Sequence, residues 1–474
     1  MAVLKRQLHL WHRWLGIVLG LLVLLWFGSG VVMMYVPYPA LTEAERQAWL
    51  APIDASAVRV SALEAWRATG LPGLPSAVRL NSVAGRPAFH FQPAASKAPQ
   101  ISVWADSGSV LQASADLAAA AAPSPAAVRT IESIDLDQWT FGRVSAHRPL
   151  HRVTLDDDAG SVLYVSGRTG ELVRDTTRSE RAWNWAGSVI HWLYFTPLRD
   201  KNEPWRQAVM WSSAITFVLA LTGMVLGIQR LRLRRRYKGG RSSPYKGWQA
   251  WHHWLGLGAG TLTLTWLFSG WLSVTPFGWL DSPGITAQDR RAFAGGTLGQ
   301  ADLALPLAAA LRASPGALEL EWRRIAGASY FATLTRTGRS LLDAGSGMPA
   351  ALASATLLPA AQAMRPGVPV QSATMMASED SYYYSHHSER AFPVLRVRFE
   401  TPEEATFYID PQRGQLAAYV DNNRKWNRWL FNGLHQLDFI RPRPAWDILL
   451  IALCVLGAML SGTGIYLGWR RIFH

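Results

Sequence analysis

The chain contains two copies of one sequence pattern. Residues 11–16 read WHRWLG and residues 251–256 read WHHWLG, and each phrase opens a long apolar run. The match continues at the same spacing, because Ser29-Gly30 corresponds to Ser269-Gly270. A repeat of this kind predicts that each copy forms the same structural unit and that the units pack together. In both copies a histidine stands where the apolar run begins.

Four apolar segments are long enough to cross a bilayer, which needs about 20 apolar residues. They are residues 14–36, 207–228, 254–276 and 448–469. The first is preceded by Lys5 and Arg6, as a signal peptide would be, but its apolar run exceeds the roughly 7–15 residues of a signal h-region. Its copy at 254–276 lies in mid-chain. We therefore interpret both as retained transmembrane helices.

The basic residues predict an orientation. The net charge is +14, and eight Lys and Arg with no Asp or Glu lie between Arg230 and Lys246, where they join two apolar segments. Other basic residues flank the first and last segments, namely Lys5, Arg6, Arg13, Arg470 and Arg471. The positive-inside rule places all of them in the cytoplasm. The long connections then lie outside, in the periplasm of a bacterial inner membrane, and the charge indicates a lipid bilayer and no nucleic-acid partner.

The sequence excludes several kinds of redox and catalytic centre. The chain has one cysteine, Cys454, so it cannot form an internal disulfide or a cysteine-ligated iron–sulfur cluster. The Cys-x-x-Cys-His signal for covalent haem is absent, as are a P-loop, a nucleophile elbow and a dinucleotide fingerprint.

The two long connections each predict a helix followed by strands and Asp/Gly turns, which is typical of a small α+β domain. In the first, an alanine-rich helix with a Pro-containing interruption is expected at about 113–129. The expected organisation is a transmembrane helix (1–36), an outer domain (37–180), an interfacial helix (181–206), a transmembrane helix (207–229), a basic cytoplasmic loop (230–250), a transmembrane helix (251–276), an outer domain (277–423), an interfacial helix (424–445) and a transmembrane helix (446–474).

Four histidines occupy matched positions in the two copies. His12 and His252 precede the first and third apolar segments, and His191 and His435 precede the second and fourth. A two-fold axis along the membrane normal would bring each pair together, as in other parallel repeats. Two facing imidazoles between helices are the axial ligands of a b-type haem. Because polar groups inside membranes are costly, we interpret the histidines as ligands of two haems.

Other interpretations of these residues remain open. Zinc would need three or four clustered ligands, and the apolar segments offer almost no carboxylates. His9 and His253 neighbour the chosen ligands and are lower-ranked candidates that could replace or support them. Each apolar segment also carries two glycines four residues apart, which favour close helix packing and could also make room for a flat ligand. The remaining histidines considered, His147, His151, His386 and His387, are expected on the surface of the outer domains.

Several phrases resemble the PepSY-associated transmembrane helix family, and the resemblance covers nearly the whole chain. They are WHRWLG (11–16), DSYYYSHH (380–387), PVLRVRF (393–399), YIDPQRGQ (408–415) and RWLFNGLHQLDF (428–439). Some members are similar to bacterial inner-membrane reductases of ferric siderophores with two b-type haems. The resemblance implies an α-helical membrane protein with a four-helix transmembrane bundle and two periplasmic PepSY-like α+β domains. It also implies haem ligation at His12, His252, His191 and His435.

The function expected from these features is electron transfer across the membrane. A cytoplasmic donor or a membrane quinol would supply electrons, and a ferric siderophore outside would be reduced, which makes the chain a haem-dependent ferric-siderophore reductase. Two alternatives stay open. The chain could be a non-catalytic, membrane-anchored binding module, or a transporter of the siderophore itself, although the apolar segments contain almost no charged residues.

Overall fold

Four long helices contain the apolar segments. They are α1 (Ala2–Met33), α2 (Asn202–Arg230), α3 (Gly247–Leu272) and α4 (Arg443–Phe473). The computed structural model describes residues 2–95, 98–122, 126–385 and 389–473. In that part of the chain α1, α2 and α4 are long and apolar enough to span a bilayer, so this is a membrane protein. The fourth, α3, has 26 residues but is not among these three helices, and its crossing of the membrane stays a prediction.

The four helices form one compact unit with the segments that precede α2 and α4. This helical unit comprises Met1–Tyr38, Ser179–Asp281 and Asn423–His474. Helix α1 packs against α2 and α4, and α3 packs against the same two helices, so α1 and α3 lie diagonally opposite each other. Val23, Phe27 and Cys454 form a buried cluster in its interior, and the Phe27 ring packs 5.8 Å from that of Trp266.

The segments before α2 and α4 differ from the expected interfacial helices. Arg178–Asn184 continues into a π-helical turn, Trp185–Val189, and Asn422–Asn427 continues into a longer one, Arg428–Gln436. These π-helical turns pack against α1 and α3 respectively. Their expected position at the membrane surface stays a prediction. π-Helical turns are rare and often mark functional positions.

The rest of the chain, Pro39–Arg178 and Ser282–Asn422, forms a second compact unit, the sheet unit. Its strands are β1 (Pro75–Val83), β2 (Arg86–Pro93), β3 (Ile101–Trp104), β4 (Val128–Ile134), β5 (Leu150–Leu155), β6 (Val162–Ser166), β7 (Leu172–Thr176), β8 (Glu319–Ile325), β9 (Ala328–Thr335), β10 (Gly338–Asp343), β11 (Val370–Met376), β12 (Val394–Phe399), β13 (Thr406–Asp410) and β14 (Gln415–Val420). Short helices accompany them, chiefly Glu43–Trp49, Ala62–Ala68, Ala115–Ala120, Ala287–Ala294, Leu307–Ala313 and Ser354–Gln362.

The strands form three antiparallel sheets, and one of them joins the two copies of the repeat. Strands β4 to β7 and β11 to β14 make two four-stranded sheets in sequence order, and the third has the order β10-β9-β8-β1-β2-β3. Strands β1 and β8 pair with Leu80 opposite Leu320. The two connections therefore do not fold as independent domains, which corrects the expected division into 37–180 and 277–423.

A second correction concerns the alanine-rich stretch of the first connection. Its helix covers only Ala115–Ala120, and Val128–Ile134 is the edge strand β4, paired with β5. Alanine favours a helix, but the β-branched residues that follow fit a sheet better. The expected helix at 113–129 was therefore too long.

A buried ion network lies where β1 meets β8. The Arg79 guanidinium donates to both carboxylate oxygens of Glu171, at 2.6 and 2.7 Å, and to Glu319 at 2.8 Å. These charges keep the pKa of the Glu171 carboxyl well below its ordinary value, against the opposing effect of burial. Nearby, the buried His90 ring bonds Ser102 and Asn81, at 2.7 Å each. Burial lowers the pKa of His90 to about 4, so the imidazole is neutral near pH 7.

Candidate functional site

The structure places the four matched histidines of the helical unit in two facing pairs. In the first pair the ring centroids of His12 and His252 are 6.1 Å apart, and in the second those of His191 and His435 are 6.2 Å apart. The first pair comes from the diagonally opposed helices α1 and α3. The second comes from the segments before α2 and α4. The arrangement matches the two levels expected from the repeat.

Each ring of the first pair bonds a helix of its own half of the repeat. His12 Nδ1 donates to the carbonyl oxygen of Leu219 on α2 at 3.2 Å. His252 Nδ1 lies 3.0 Å from the Thr463 hydroxyl on α4, and that hydroxyl donates its own proton to the Leu460 carbonyl at 2.8 Å. A hydroxyl carries a single proton, so Thr463 accepts the Nδ1 proton of His252. Both rings therefore keep the lone pair on Nε2.

The second pair has the same protonation, and two matched serines contact its Nδ1 atoms. Ser29 Oγ donates to the Trp26 carbonyl and lies 3.1 Å from His191 Nδ1. Ser269 Oγ donates to the Trp266 carbonyl and lies 3.1 Å from His435 Nδ1. The Trp266 carbonyl also lies 3.3 Å from His435 Nδ1 and can share its proton. Nδ1 is therefore the protonated nitrogen in both rings, and Nε2 is left as the free ligand atom. Metal-binding histidines usually donate their second ring N–H to a neighbouring acceptor in this way.

Matched backbone contacts hold the second pair in place. The indole N–H of Trp205 on α2 donates to the carbonyl of Trp192, the residue after His191, at 2.7 Å. Trp446 on α4 donates likewise to the carbonyl of Gln436, the residue after His435, also at 2.7 Å. Shortly after each histidine the chain turns at a leucine with left-handed backbone, namely Leu193 (φ 54°) and Leu437 (φ 51°).

A glycine lies beside each of the four rings. A Cβ at Gly223 would lie 2.5 Å from Cε1 of His12, and one at Gly464 would lie 3.2 Å from Cε1 of His252. In the second pair the corresponding distances are 3.5 Å from Gly30 to His191 and 3.3 Å from Gly270 to His435. Since ordinary contacts begin near 3.4 Å, a side chain at Gly223 would displace the His12 ring. These glycines leave the rings the room to adopt their positions.

A cavity of about 830 Å³ surrounds the first pair. Helices α1 to α4 each contribute two glycines to its wall: Gly16, Gly20, Gly223, Gly227, Gly256, Gly260, Gly464 and Gly468. Several also pack against aliphatic side chains, as Gly468 does against Ile17 and Gly227 against Leu257. The glycine pairs thus pack against neighbouring helices and also line the cavity. A smooth wall without side chains suits a flat ligand, and the volume lies in the usual range for a ligand pocket.

The residues present fit a bis-histidine haem. Two metal–imidazole bonds of about 2 Å, with half a ring on each side, place the ring centroids about 6 Å apart, as both pairs have. A bis-histidine haem also agrees with the protons assigned to Nδ1, with the glycines beside the rings and with the cavity. Each pair supplies two ligands, whereas zinc would need three or four. No cluster of three or more His, Cys, Asp or Glu suited to a metal occurs in the described part of the chain.

The lower-ranked candidates are placed differently. His253 Nε2 bonds the Gly227 carbonyl at 2.9 Å, and among the described residues its buried Nδ1 has no partner. His9 bonds the Lys5 carbonyl of its own helix at 2.8 Å. Both line the cavity, but the ring that faces His12 is that of His252. This geometry favours His252 over His253 as the ligand.

Two further histidines, His147 and His151, lie in the sheet unit. His151 is buried and bonds the Ala113 carbonyl at 2.9 Å, so the expectation that it lies on the surface is wrong. His147 is partly buried and bonds the Ser166 hydroxyl at 3.1 Å. His386 and His387 lie outside the described residues.

Sequence reasoning missed the residues that orient the ligands. Ser29 and Ser269 were visible as part of the repeat, and Thr222-Gly223 corresponds to Thr463-Gly464 in the same way. Neither match indicated a contact with histidine, because the contacts join helices that are distant in sequence. A search for polar residues at matched positions of the repeat would have selected both.

Comparison with known proteins agrees with the predicted relationship. A search of curated proteins finds no match. A family model described as a PepSY-associated TM region matches residues 9–471, which include all four paired histidines. Because the match extends over nearly the whole chain, the protein belongs to the family defined by the PepSY-associated transmembrane region.

Proposed function

We propose that this protein is a di-haem b oxidoreductase of the bacterial inner membrane that reduces a ferric siderophore in the periplasm. Electrons would come from a cytoplasmic donor or a membrane quinol, and iron release would support iron uptake. The proposal rests on the two pairs of facing imidazoles. In each ring Nδ1 is hydrogen-bonded and Nε2 is left as the ligand atom.

The separation of the two pairs supports a role in transfer across the bilayer. From His12 to Gly30, which His191 contacts, α1 rises about 27 Å, close to the roughly 30 Å of the hydrocarbon core. When bound, haem supplies one-electron chemistry at each pair. The buried cluster of Val23, Phe27 and Cys454, with Trp266 beside it, fills the interior between them with apolar side chains.

The proposed topology is a four-helix transmembrane bundle with both termini in the cytoplasm. Helix α3 packs between α2 and α4, and at 26 residues it is about 39 Å long, enough to span the bilayer beside them. The basic segment that joins α2 to α3 then faces the cytoplasm, and the sheet unit belongs to the periplasm. The choice of a siderophore as electron acceptor comes from the family resemblance.

The test is reduction of a ferric hydroxamate by purified protein in liposomes, with a reductant sealed inside and an Fe(II)-specific chelator outside. We expect coloured Fe(II) complex to appear outside with wild-type protein, and the rate to fall to background in His12→Ala and His435→Ala. His9→Ala is the matched control, because His9 lines the same cavity without facing another ring. Equal rates in all four proteins would reject electron transfer through the histidine pairs.

The same experiment separates the alternatives. An anchored binding module would give no Fe(II) with any protein. A transporter would instead move the intact ferric siderophore into the liposome lumen, which radiolabelled iron would reveal.

A further inference from the structure

One end of the cavity around His12 and His252 is strongly basic. Its lining includes Lys5, Arg6, Arg13 and Arg230, and no Asp or Glu among the described residues lines it. Lys5, Arg6 and Arg13 are exposed and Arg230 is partly buried, so the positive charge lies at an open end of the cavity, where it attracts an anion. The cavity therefore has an end suited to negative charge.

Two of these basic residues occupy equivalent places on the two helices of the first half. Lys5 precedes His12 by two helical turns on α1, and Arg230 follows Gly223, the glycine beside His12, by two turns on α2. Residues separated by seven positions lie on the same helix face. Each helix thus places a cation about 10 Å along its axis from the level of the ring pair, at the same end of the cavity.

Arg230 has an unfilled donor. Its side chain is partly buried, and its Nε is buried without a hydrogen-bond partner among the described residues. Its backbone is fixed, because the Tyr237 hydroxyl donates to the Arg230 carbonyl at 3.1 Å. The positive-inside rule explains the exposed arginines that follow, such as Arg234 and Arg235, but it does not require a partly buried arginine on a cavity wall.

We infer that Arg230, with Lys5 and Arg6, binds two carboxylates at the cytoplasmic mouth of this cavity, and that these are the propionates of the haem held by His12 and His252. The inference rests on the proposed function. It fixes the orientation of the cofactor, with its apolar edge directed toward Val23 and Leu267 and its carboxylates toward the aqueous mouth. Arginine suits this role because its planar fork binds carboxylates with two hydrogen bonds.

The test compares Arg230→Gln with Arg234→Gln, an exposed arginine of the same basic segment that does not line the cavity. Both are made in a His435→Ala background, which keeps only the first pair intact. Haem loss is followed as transfer to excess apomyoglobin. We expect about tenfold faster loss from Arg230→Gln, the effect of losing one hydrogen bond to a charged group, and no change in Arg234→Gln.

A second ligand distinguishes carboxylate binding from a structural effect. Haem dimethyl ester, whose propionates are uncharged, should be lost at the same rate from Arg230→Gln and from its parent. Equal loss of ordinary haem from the Arg230 and Arg234 variants would overturn the inference, as would an Arg230 effect that persists with the ester. A wild-type protein without haem would instead reject the proposed function.

Discussion

The contact between Gly223 and His12 allows a sharp prediction. In Gly223→Ala the new methyl group would lie 2.5 Å from Cε1 and 3.0 Å from Nδ1 of His12. Relief to an ordinary contact near 3.4 Å requires the ring or the helix to move by about 1 Å, whereas metal–ligand distances tolerate about 0.2 Å. Overpacking of this kind costs about 1–3 kcal/mol. We expect the substitution to remove the haem of the first pair and to leave that of the second.

The assay is the haem content per chain of the purified variant, measured as the pyridine haemochrome. The expected value falls from two haems to one. Gly462→Ala is the matched control, because a Cβ there has nothing within 4 Å although Gly462 lies only two residues before Gly464 on α4. Since alanine favours a helix by up to about 1 kcal/mol over glycine, the control should keep both haems. Full haem content and an unchanged spectrum in Gly223→Ala would refute the reasoning.

Three further predictions concern single side chains. His252→Ala should lose one haem per chain while His253→Ala keeps both, because His252 is the ring that faces His12; loss of haem from His253→Ala alone would reverse the assignment. Ser269→Ala removes one of the two acceptors near the His435 Nδ1 proton, while the Trp266 carbonyl at 3.3 Å remains. It should weaken haem retention about tenfold, whereas Ser273→Ala, an exposed serine one turn further on, should not. The free energy of unfolding should fall by about 2 kcal/mol when the pH is lowered from 7 to 5. The reason is that the His90 pKa is 6.5 in the unfolded chain but about 4 in the sheet unit, so the unfolded state takes up the proton first. Thermal unfolding at the two pH values measures this loss, and His90→Gln should reduce it; an unchanged pH dependence in that variant would exclude His90 as its source.

The features that could be predicted from the sequence are those repeated in it. The apolar segments, the matched phrases at residues 11 and 251, and the paired histidines all follow from comparing one half with the other. The structure brings together the same rings, His12 with His252 and His191 with His435. Because few polar residues lie at the ends of the apolar helices, each histidine had few possible partners apart from its matched histidine.

The features that escaped prediction depend on contacts between distant residues. The pairing of β1 with β8 joins the two connections into one sheet, and no local sequence pattern predicts this pairing. The segment Arg428–Gln436 resembles an ordinary amphipathic helix in sequence, and its π-helical backbone and its packing against α3 were not predicted. The cavity wall is formed by pairs of glycines from four helices, whose spacing also fits simple helix packing.

The most direct test of the account is the visible spectrum of the purified protein, oxidised and after dithionite, with haem counted per chain. The account predicts a Soret band that sharpens and shifts on reduction, and two haems per chain, one for each facing pair. A colourless protein from cells well supplied with iron and haem would contradict it.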